Sequence, residues 1–514
     1  MSGFNLIREP WIPCLDRSWH PVRLGVRDLL RRSAELREIS HASPLVTLSI
    51  HRFLLALVHR IHGPADDREW LRLWEARAWD GPKVEAYLER WAPRFELAEG
   101  PHRFYQSDYA RDVDPTPISK LAIERASGNN RTLFDHTPVA QPMSLGEAAG
   151  YLLAAQAFAV GGTITPKPDV PASKYASDSH LTQGAVALVR GQNLFETLAL
   201  NLCDYDVGRR RPYPMRESDR PAWEVDSGPP EERLPLGWLD LLTWQSRRIL
   251  LHVSGPQVEA VTMLSGDRMP KSWQPHEAEL MMAYRPHPHA TGTMDPYLPL
   301  RISPGRALWR DSSSLLASTH GTAGLKMLRW LANRKEALET RRIFPIDMIG
   351  VAKDQAKILL WRHERLPLPG ALLGETEASV AGREALRIGL EAAERAAGAV
   401  REAVRRLATA LLSVAPGPPP REEARSVAAS LFDEGEYWQR LEEPFTQFIY
   451  HLDDDGAGRD AALTEWVRQV RAAARTAFEG VVAGLGESVP ALRASALVGP
   501  FFAYRLRSVG GEGR

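Results

Sequence analysis

Two lysines flank a short polar step in Lys353-Asp-Gln-Ala-Lys357, which lies between Gly350 and Trp361-Arg362-His363. Lysine and arginine hold phosphates without regard to base sequence. With its flanks held that way, a small tip such as Gln355-Ala356 can enter a groove or push into a base stack. Arg341-Arg342 and Arg365 add positive charge nearby. Arg209-Arg210-Arg211, Lys326, Arg329, Arg334 and Lys335 are basic elsewhere, and composition alone reads them as solvated faces.

A second chemistry is metal binding. His287-Pro288-His289 sets two imidazoles close together, and His276 lies upstream in the same stretch. A zinc site needs three or four converging ligands. No CxxC, HExxH or second His pair supplies the remainder, so loop histidines held by backbone hydrogen bonds are the plainer reading. A metal-dependent enzyme built on His276, His287 and His289 stays as an alternative. Nucleophilic catalysis has less to stand on. There is no GxSxG elbow, no Walker A loop and no GxGxxG before a helix. Cys14, in PWIPC, reads as part of a packed strand, and Cys203, after an apolar stretch, reads as core. Asp453 and Asp455 stand at a helix end, where a solvated turn explains them.

The elements that must carry these residues fall into two parts. Leu45–His62 has helical apolar spacing and stops at Gly63-Pro64; Ala148–Val160 reads as a buried helix. Gly184–Val189 and Ile249–Val253 read as strands. Residues 205–236 and Gly266–Tyr297 read as long surface loops, a length that is usually functional or disordered. From Ala378 onward the chain turns helical. Ala378–Val414 places Leu386, Leu390, Ala393, Ala397, Val400, Val404 and Leu407 on one face, and Pro416–Pro420 stops it. Arg421–Phe432, Glu436–His451 with a kink at Pro444, Ala461–Val482 and Pro490–Leu506 follow. Short connections between such helices predict an antiparallel bundle. The expected class is therefore α+β: a large irregular mixed α/β domain over 1–370, a C-terminal four-helix bundle over 371–509, and a disordered tail over 510–514. The boundary falls at Leu366-Pro367-Leu368-Pro369-Gly370.

Composition narrows the functions. The chain has 514 residues, 44% apolar and 25% charged, the balance of a globular protein. Two cysteines exclude a disulfide scaffold and a Cys-rich zinc module. The start, MSGFNLIREPWIP, has no apolar core of signal-peptide length. The weakly polar run Gly150–Gly162 is too short to span a bilayer and contains Gln156. A cytoplasmic protein without membrane contact is the expectation. The 64 basic and 64 acidic residues cancel, but unevenly. Residues 371–514 carry 17 Arg and no Lys against 21 Asp and Glu, which leaves the first 370 residues with a small positive excess. That excess permits a local basic surface there.

Five stretches in order resemble the CasA family, the large subunit of the type I-E CRISPR surveillance complex Cascade. They are Asn5-Leu-Ile-Arg-Glu-Pro-Trp-Ile-Pro13; Val189-Arg-Gly-Gln-Asn-Leu194 with Thr197-Leu-Ala-Leu-Asn-Leu202; Leu242-Thr-Trp-Gln245; Pro286-His-Pro-His289; and Ile349-Gly-Val-Ala-Lys-Asp-Gln-Ala-Lys-Ile-Leu359 with Arg362-His363. They span most of residues 1–365, and the helical tail follows where the family has a four-helix bundle. The resemblance implies a non-catalytic subunit without a cofactor. Its partners would be double-stranded target DNA, the other Cascade subunits with the guide RNA, and a helicase–nuclease. It would bind the protospacer-adjacent motif (PAM) and help open the duplex.

Carried over residue by residue, the family's glutamine wedge falls on Gln355, the small residue after it on Ala356, and the polar residue before it on Asp354. An acidic residue there departs from the uncharged amide that suits DNA. The family's glycine-rich loop matches Pro171–Ser179, which lacks the glycines but offers Lys174, Ala176 and Ser177. The groove-entering lysine matches Lys271, and Lys353 and Lys357 would meet the backbone. The loop reaching the guide-RNA end would centre on Phe134, with Asn130, Asp135 and His136. Some members carry a Cys-rich zinc knuckle; this chain lacks its cysteines, so no metal is expected. A scaffold that joins subunits without touching DNA is the remaining alternative.

Overall fold

The computed structural model describes residues 3–125, 141–167, 174–205, 218–292, 294–316, 324–334, 338, 343–413, 420–453 and 456–510. The chain divides into two compact units. One comprises Met1–Leu338 with Phe344–Leu366, the other Pro367–Arg514 with Glu339–Ile343. The first mixes helices and small antiparallel sheets and the second is helical, so the fold is α+β.

In the first unit, β1 (Ile12–Asp16), β2 (Pro21–Leu24) and β3 (Leu36–Ile39) form a three-stranded sheet in the order β2-β1-β3. α1 (Pro44–His62) follows, with Pro44 in the first turn, where a missing N–H costs nothing. Fifteen of its 19 residues are buried, so its long apolar run serves the core. Each fully buried Leu, Ile or Phe there contributes about 2 kcal/mol. α2 (Leu145–Phe158) starts at Ser144, whose hydroxyl accepts from the Glu147 amide, and Gly150 lets it approach Val46 of α1. Gln156 is buried with its amide fully engaged. It donates to the Arg247 carbonyl and accepts from the Arg247 N–H, both at 2.9 Å.

Next come a short hairpin, β4 (Gly162–Thr163) with β5 (Tyr175–Ala176), and the buried strand β6 (Val186–Val189). β7 (Arg247–Ser254) and β8 (Gln257–Ser265) pair around Gly255. β9 (Ile343–Asp354) and β10 (Lys357–Pro369) form a long hairpin. The sheet order is β10-β9-β6, with Ile346 opposite Val189 and Ile349 opposite Val186.

Both expected surface loops are partly interior. Within 205–236 the described residues include buried Asp219 and Trp223. Asp219 accepts from the Leu239 and Asp240 amides, and Trp223 packs 5.4 Å from Phe53. Within Gly266–Tyr297, the run Leu280–Tyr284 is buried, and Tyr284–Pro286 pairs with Tyr297–Pro299. Long-range pairing overrides the local loop signal in both. Cys14 and Cys203 are buried and free, and burial pushes the Cys14 thiol up to about 12.

The second unit holds α3 (Glu377–Leu412), α4 (Arg421–Leu431), α5 (Glu434–Gln439), α6 (Glu442–Tyr450), α7 (Gly456–Gly484) and α8 (Val489–Arg507). The apolar face expected on α3 is buried throughout. The single kinked helix expected over Glu436–His451 is two helices, α5 and α6. Pro444 sits in the first turn of α6, where it needs no hydrogen bond. α3 is held by Trp466, whose indole donates to the Gly389 carbonyl at 2.8 Å, and by Tyr437, whose hydroxyl donates to the Ala393 carbonyl at 2.9 Å.

Gly389 and Gly398 share α3 but not surroundings. A Cβ on Gly389 would stand 2.7 Å from Phe448 and 3.0 Å from Trp466, whereas one on Gly398 meets only an Arg401 nitrogen at 3.7 Å. Gly389→Ala should therefore destabilise the helical unit by about 1–3 kcal/mol through overpacking. Gly398→Ala should stabilise it by up to ~1 kcal/mol. Thermal unfolding of the two variants side by side checks this; equal shifts would contradict the packing.

Candidate functional site

The β9–β10 hairpin projects Asp354, Gln355, Ala356 and Lys357 at its tip, all exposed. The turn is two residues, Gln355-Ala356, and Gln355 has φ +50°. That backbone sign is usual for glycine or asparagine; for other residues it costs roughly 1–2 kcal/mol. A glutamine held there is strained, as residues kept for function often are.

The root of the hairpin is fixed by charge. Asp347 on β9 is almost wholly buried. It receives Arg365 at 2.6 Å and His363 at 3.2 Å, both from β10, and Arg190, just after β6, at 3.4 Å. Arg190 and Arg365 also reach Glu38 on β3. Burial alone would raise the Asp347 pKa; His363, Arg365 and Arg190 hold it well below the usual carboxylate range.

The tip does not stand alone. A Cβ placed on Gly162 of β4 would lie 3.0 Å from the Ala356 methyl, so the glycine makes room for the tip. Gly162 also has φ +148° and pairs with Ala176 of β5. Lys353, at the end of β9, forms an ion pair with Asp178 just after β5. Asp178 further accepts from the Gly161 amide at 2.7 Å and from Gln183 at 3.2 Å. Its burial opposes ionisation, yet Lys353 and the Gly161 amide hold its pKa low. One carboxylate thus ties the two hairpins together.

Several expected residues meet here. Gln355, Ala356 and Asp354 form the tip, Lys357 is exposed beside it, and Lys174 is exposed with its ammonium 5.3 Å from the Tyr175 ring. Ser177 and Lys271 line one cavity next to Asp178. Two expectations need correction. Lys353 already spends its charge on Asp178, and Ala176 is buried in the β4–β5 pairing, not presented to a groove. The strand paired with Tyr175–Ala176 begins at Gly162, preceded by Gly161. The signal was the Gly-Gly step after an apolar helix, 14 residues before Ala176, which only strand pairing brings alongside. Asn130, Phe134, Asp135, His136, residues 171–173, Arg209-Arg210-Arg211, Lys335 and Arg341-Arg342 lie outside the described residues.

Other basic residues are structural. Arg334 is buried, pairs with Asp67 at 2.9 Å and with Asp204, and lies over the Trp70 ring. That corrects its reading as a solvated face. The histidine alternative does not assemble. His276 pairs with Asp295 at 2.6 Å against the Tyr297 ring, while the His289 amide donates to His287 Nδ1 at 3.0 Å. Among the described residues no three His, Cys, Asp or Glu side chains gather as a metal site.

Behind the site sits Glu279, fully buried, with Arg52 of α1 donating to both its oxygens at 3.0 Å and His180 at 3.1 Å. Burial raises its pKa, but Arg52 and His180 outweigh that and bring it from 4.5 to about 2. Burial lowers the His180 pKa, against the opposing pull of Glu279. The folded state therefore binds fewer protons than the unfolded chain at mildly acid pH. The stabilisation is complete above about 4.5 and is lost as pH falls towards about 2. The thermal midpoint of the unmodified chain should fall more steeply over that window than that of Glu279→Gln; parallel acid limbs would contradict the assignment.

Comparison with known proteins identifies the family whose model the chain matches. Residues 5–477 match the family model described as CRISPR-associated protein Cse1. The chain is 32% identical over 534 aligned positions to the CRISPR-associated protein CasA/Cse1 of Thermus thermophilus, covering 100% of this chain and 99% of that one. The solved structure of Thermus thermophilus CasA (Cse1) superposes with a TM-score of 0.81 at 28% identity, over 99% of this chain and 100% of that one. A chain of a structure described as a CRISPR RNA-guided surveillance complex shares the fold, with a TM-score of 0.77 at 20% identity over 98% and 100%.

Proposed function

This chain belongs to the CRISPR-associated Cse1 (CasA) family, and on that premise we propose that it is the large, non-catalytic subunit of a type I-E Cascade complex. In this reading it recognises the PAM of double-stranded target DNA, inserts the Gln355-Ala356 tip to start R-loop formation, and helps recruit the helicase–nuclease. Its other partners are the remaining Cascade subunits and the guide RNA. The observation that carries the reading is the convergence of the strained tip, the Gly161-Gly162 step and exposed Lys357 on one surface of the first unit.

The physics supports the motif-reading and strand-opening roles. A minor-groove reader sees a degenerate pattern and tolerates related motifs. The guide RNA supplies sequence specificity by pairing, so the protein needs few base contacts. Unstacking a base step costs roughly a few kcal/mol, which a wedge and flanking phosphate contacts offset. A glutamine in a strained turn on a hairpin rooted by Asp347 is a preformed wedge, because the rigid root keeps the inserting side chain from retreating. Lys357 is the exposed cation at the tip, whereas Lys353 must first leave Asp178 to meet a phosphate. Asp354 is held to be a bystander at the tip, since a carboxylate is repelled by DNA. The proposed guide-RNA-end contact stays with Phe134, Asn130, Asp135 and His136.

In the assembled complex, Gln355→Ala combined with Ala356→Asp should slow duplex opening at least tenfold while thermal unfolding is unchanged. Stopped-flow fluorescence of a 2-aminopurine-labelled duplex reads the rate; opening at the normal rate would remove the wedge role. Lys357→Ala should reduce the magnitude of the salt slope of duplex affinity by about 0.9, one phosphate contact. An unchanged slope would favour the scaffold alternative.

A further inference from the structure

A cavity of about 550 Å³ opens beside the Asp178–Lys353 pair, with Ser177 and Asp178 in its wall. Volumes of ~300–1,000 Å³ suit a small organic ligand. Four aromatic rings line it: Trp244, Trp273, Tyr284 and Tyr297. Trp273 stands edge-on to His180 at 6.2 Å, and His180 is fixed by Glu279. The aromatic wall is therefore braced from behind.

Its charges do not cancel. Three of the four acids in the wall have their own cation. Asp178 pairs with Lys353, Asp267 with Arg248 and Arg233, and Glu279 with Arg52, while Asp295 lies 2.6 Å from the His276 ring. Arg268 is matched by Glu232 at 3.0 Å. Lys271, Arg301 and Arg247 also line the cavity, and none has a carboxylate within ion-pair distance among the described residues. Arg247 is buried and donates only to the Ser246, Ala159 and Val160 carbonyls. Asp178 also acts on Arg247, which leaves Lys271 and Arg301 as the two exposed cations of the wall without acidic partners, and such a pair attracts an anion. Aromatic faces add ~1–3 kcal/mol for each base that stacks on them.

We propose that this cavity holds one nucleotide, its base against the aromatic wall and its phosphate between Lys271 and Arg301. Two sources share that chemistry: a nucleotide turned out of the DNA strands as the hairpin separates them, and a free mononucleotide. The strand source is favoured by position, because Asp178 is both a wall residue and the anchor of Lys353 at the tip. It rests on the DNA-binding reading above. Turning out a base costs a few kcal/mol and least where pairing is already broken. A receiving cavity beside the wedge would hold the strands apart after the tip enters.

The test uses the assembled complex and PAM-bearing duplexes in which single abasic sites step through the positions next to the PAM on each strand. Affinity is measured for the unmodified chain, Trp273→Ala, Trp273→Phe and Lys271→Met. At one position the loss of the base should weaken binding by five-fold or more in the unmodified chain and in Trp273→Phe. It should cost nothing further in Trp273→Ala. Lys271→Met, an exposed change that spares the fold, should weaken every duplex that still carries that phosphate. In a second arm the full chain alone is titrated with dAMP, dGMP, dCMP and TMP by tryptophan fluorescence. Mononucleotide binding lost in Trp273→Ala and Lys271→Met, with no position-specific coupling, would keep the ligand class and replace the strand by a free nucleotide. No coupling and no mononucleotide binding would overturn the proposal. Failure here with the Gln355 and Lys357 variants still impaired would remove the cavity alone, whereas normal behaviour of all of them would remove the DNA-binding reading.

Discussion

A buried carboxylate cannot remain ionised unless cations come to it, and Asp347 shows what that demand builds. Its partners arrive from β10 and from the residue after β6, and Glu38 on β3 joins through the same arginines. Breaking such a pair by removing one partner typically costs 3–5 kcal/mol, because the remaining charge is left uncompensated. The β9–β10 hairpin is thus rooted in the first unit by electrostatics as well as by its apolar strands. A rooted hairpin can carry a strained, exposed glutamine at its tip. Everything assigned to Gln355 and Ala356 depends on that rigidity.

The same logic recurs nearer the tip. Asp178 gathers Lys353, the Gly161 amide and Gln183, and so couples the short β4–β5 hairpin to the long one. Glu279 gathers Arg52 and His180 and braces the aromatic wall. Three carboxylates, each paired with a cation remote in sequence, set the positions of the tip, the glycine step and the cavity. Each of these carboxylates consumes a cation as it is satisfied, so the cations left over near the tip, such as exposed Lys357, are those without such a partner.

Local pattern made much of this legible. The helices at Pro44–His62 and Glu377–Leu412 follow from periodicity and from Gly and Pro stops, and the helical second unit follows from its Ala, Glu, Leu and Arg content. The hairpin tip was visible as Lys-Asp-Gln-Ala-Lys because its residues are contiguous. What escaped was what long-range pairing creates. Gly161-Gly162 was hidden because the glycines and their partner Ala176 lie on different strands. Leu280–Tyr284 was hidden by the proline- and histidine-rich stretch around it. The partners of Lys353 and Arg334 are far away in sequence, so both looked like free cations. Pairing, not propensity, decides which charges are available.

The central claim is that this chain gives the surveillance complex its ability to tell one flanking motif from another. The direct measurement is duplex binding by the complex reconstituted with and without this chain, on targets that differ only in the PAM. The account predicts that discrimination between the targets disappears when the chain is omitted. Discrimination that survives its omission would contradict the account and leave the chain a scaffold.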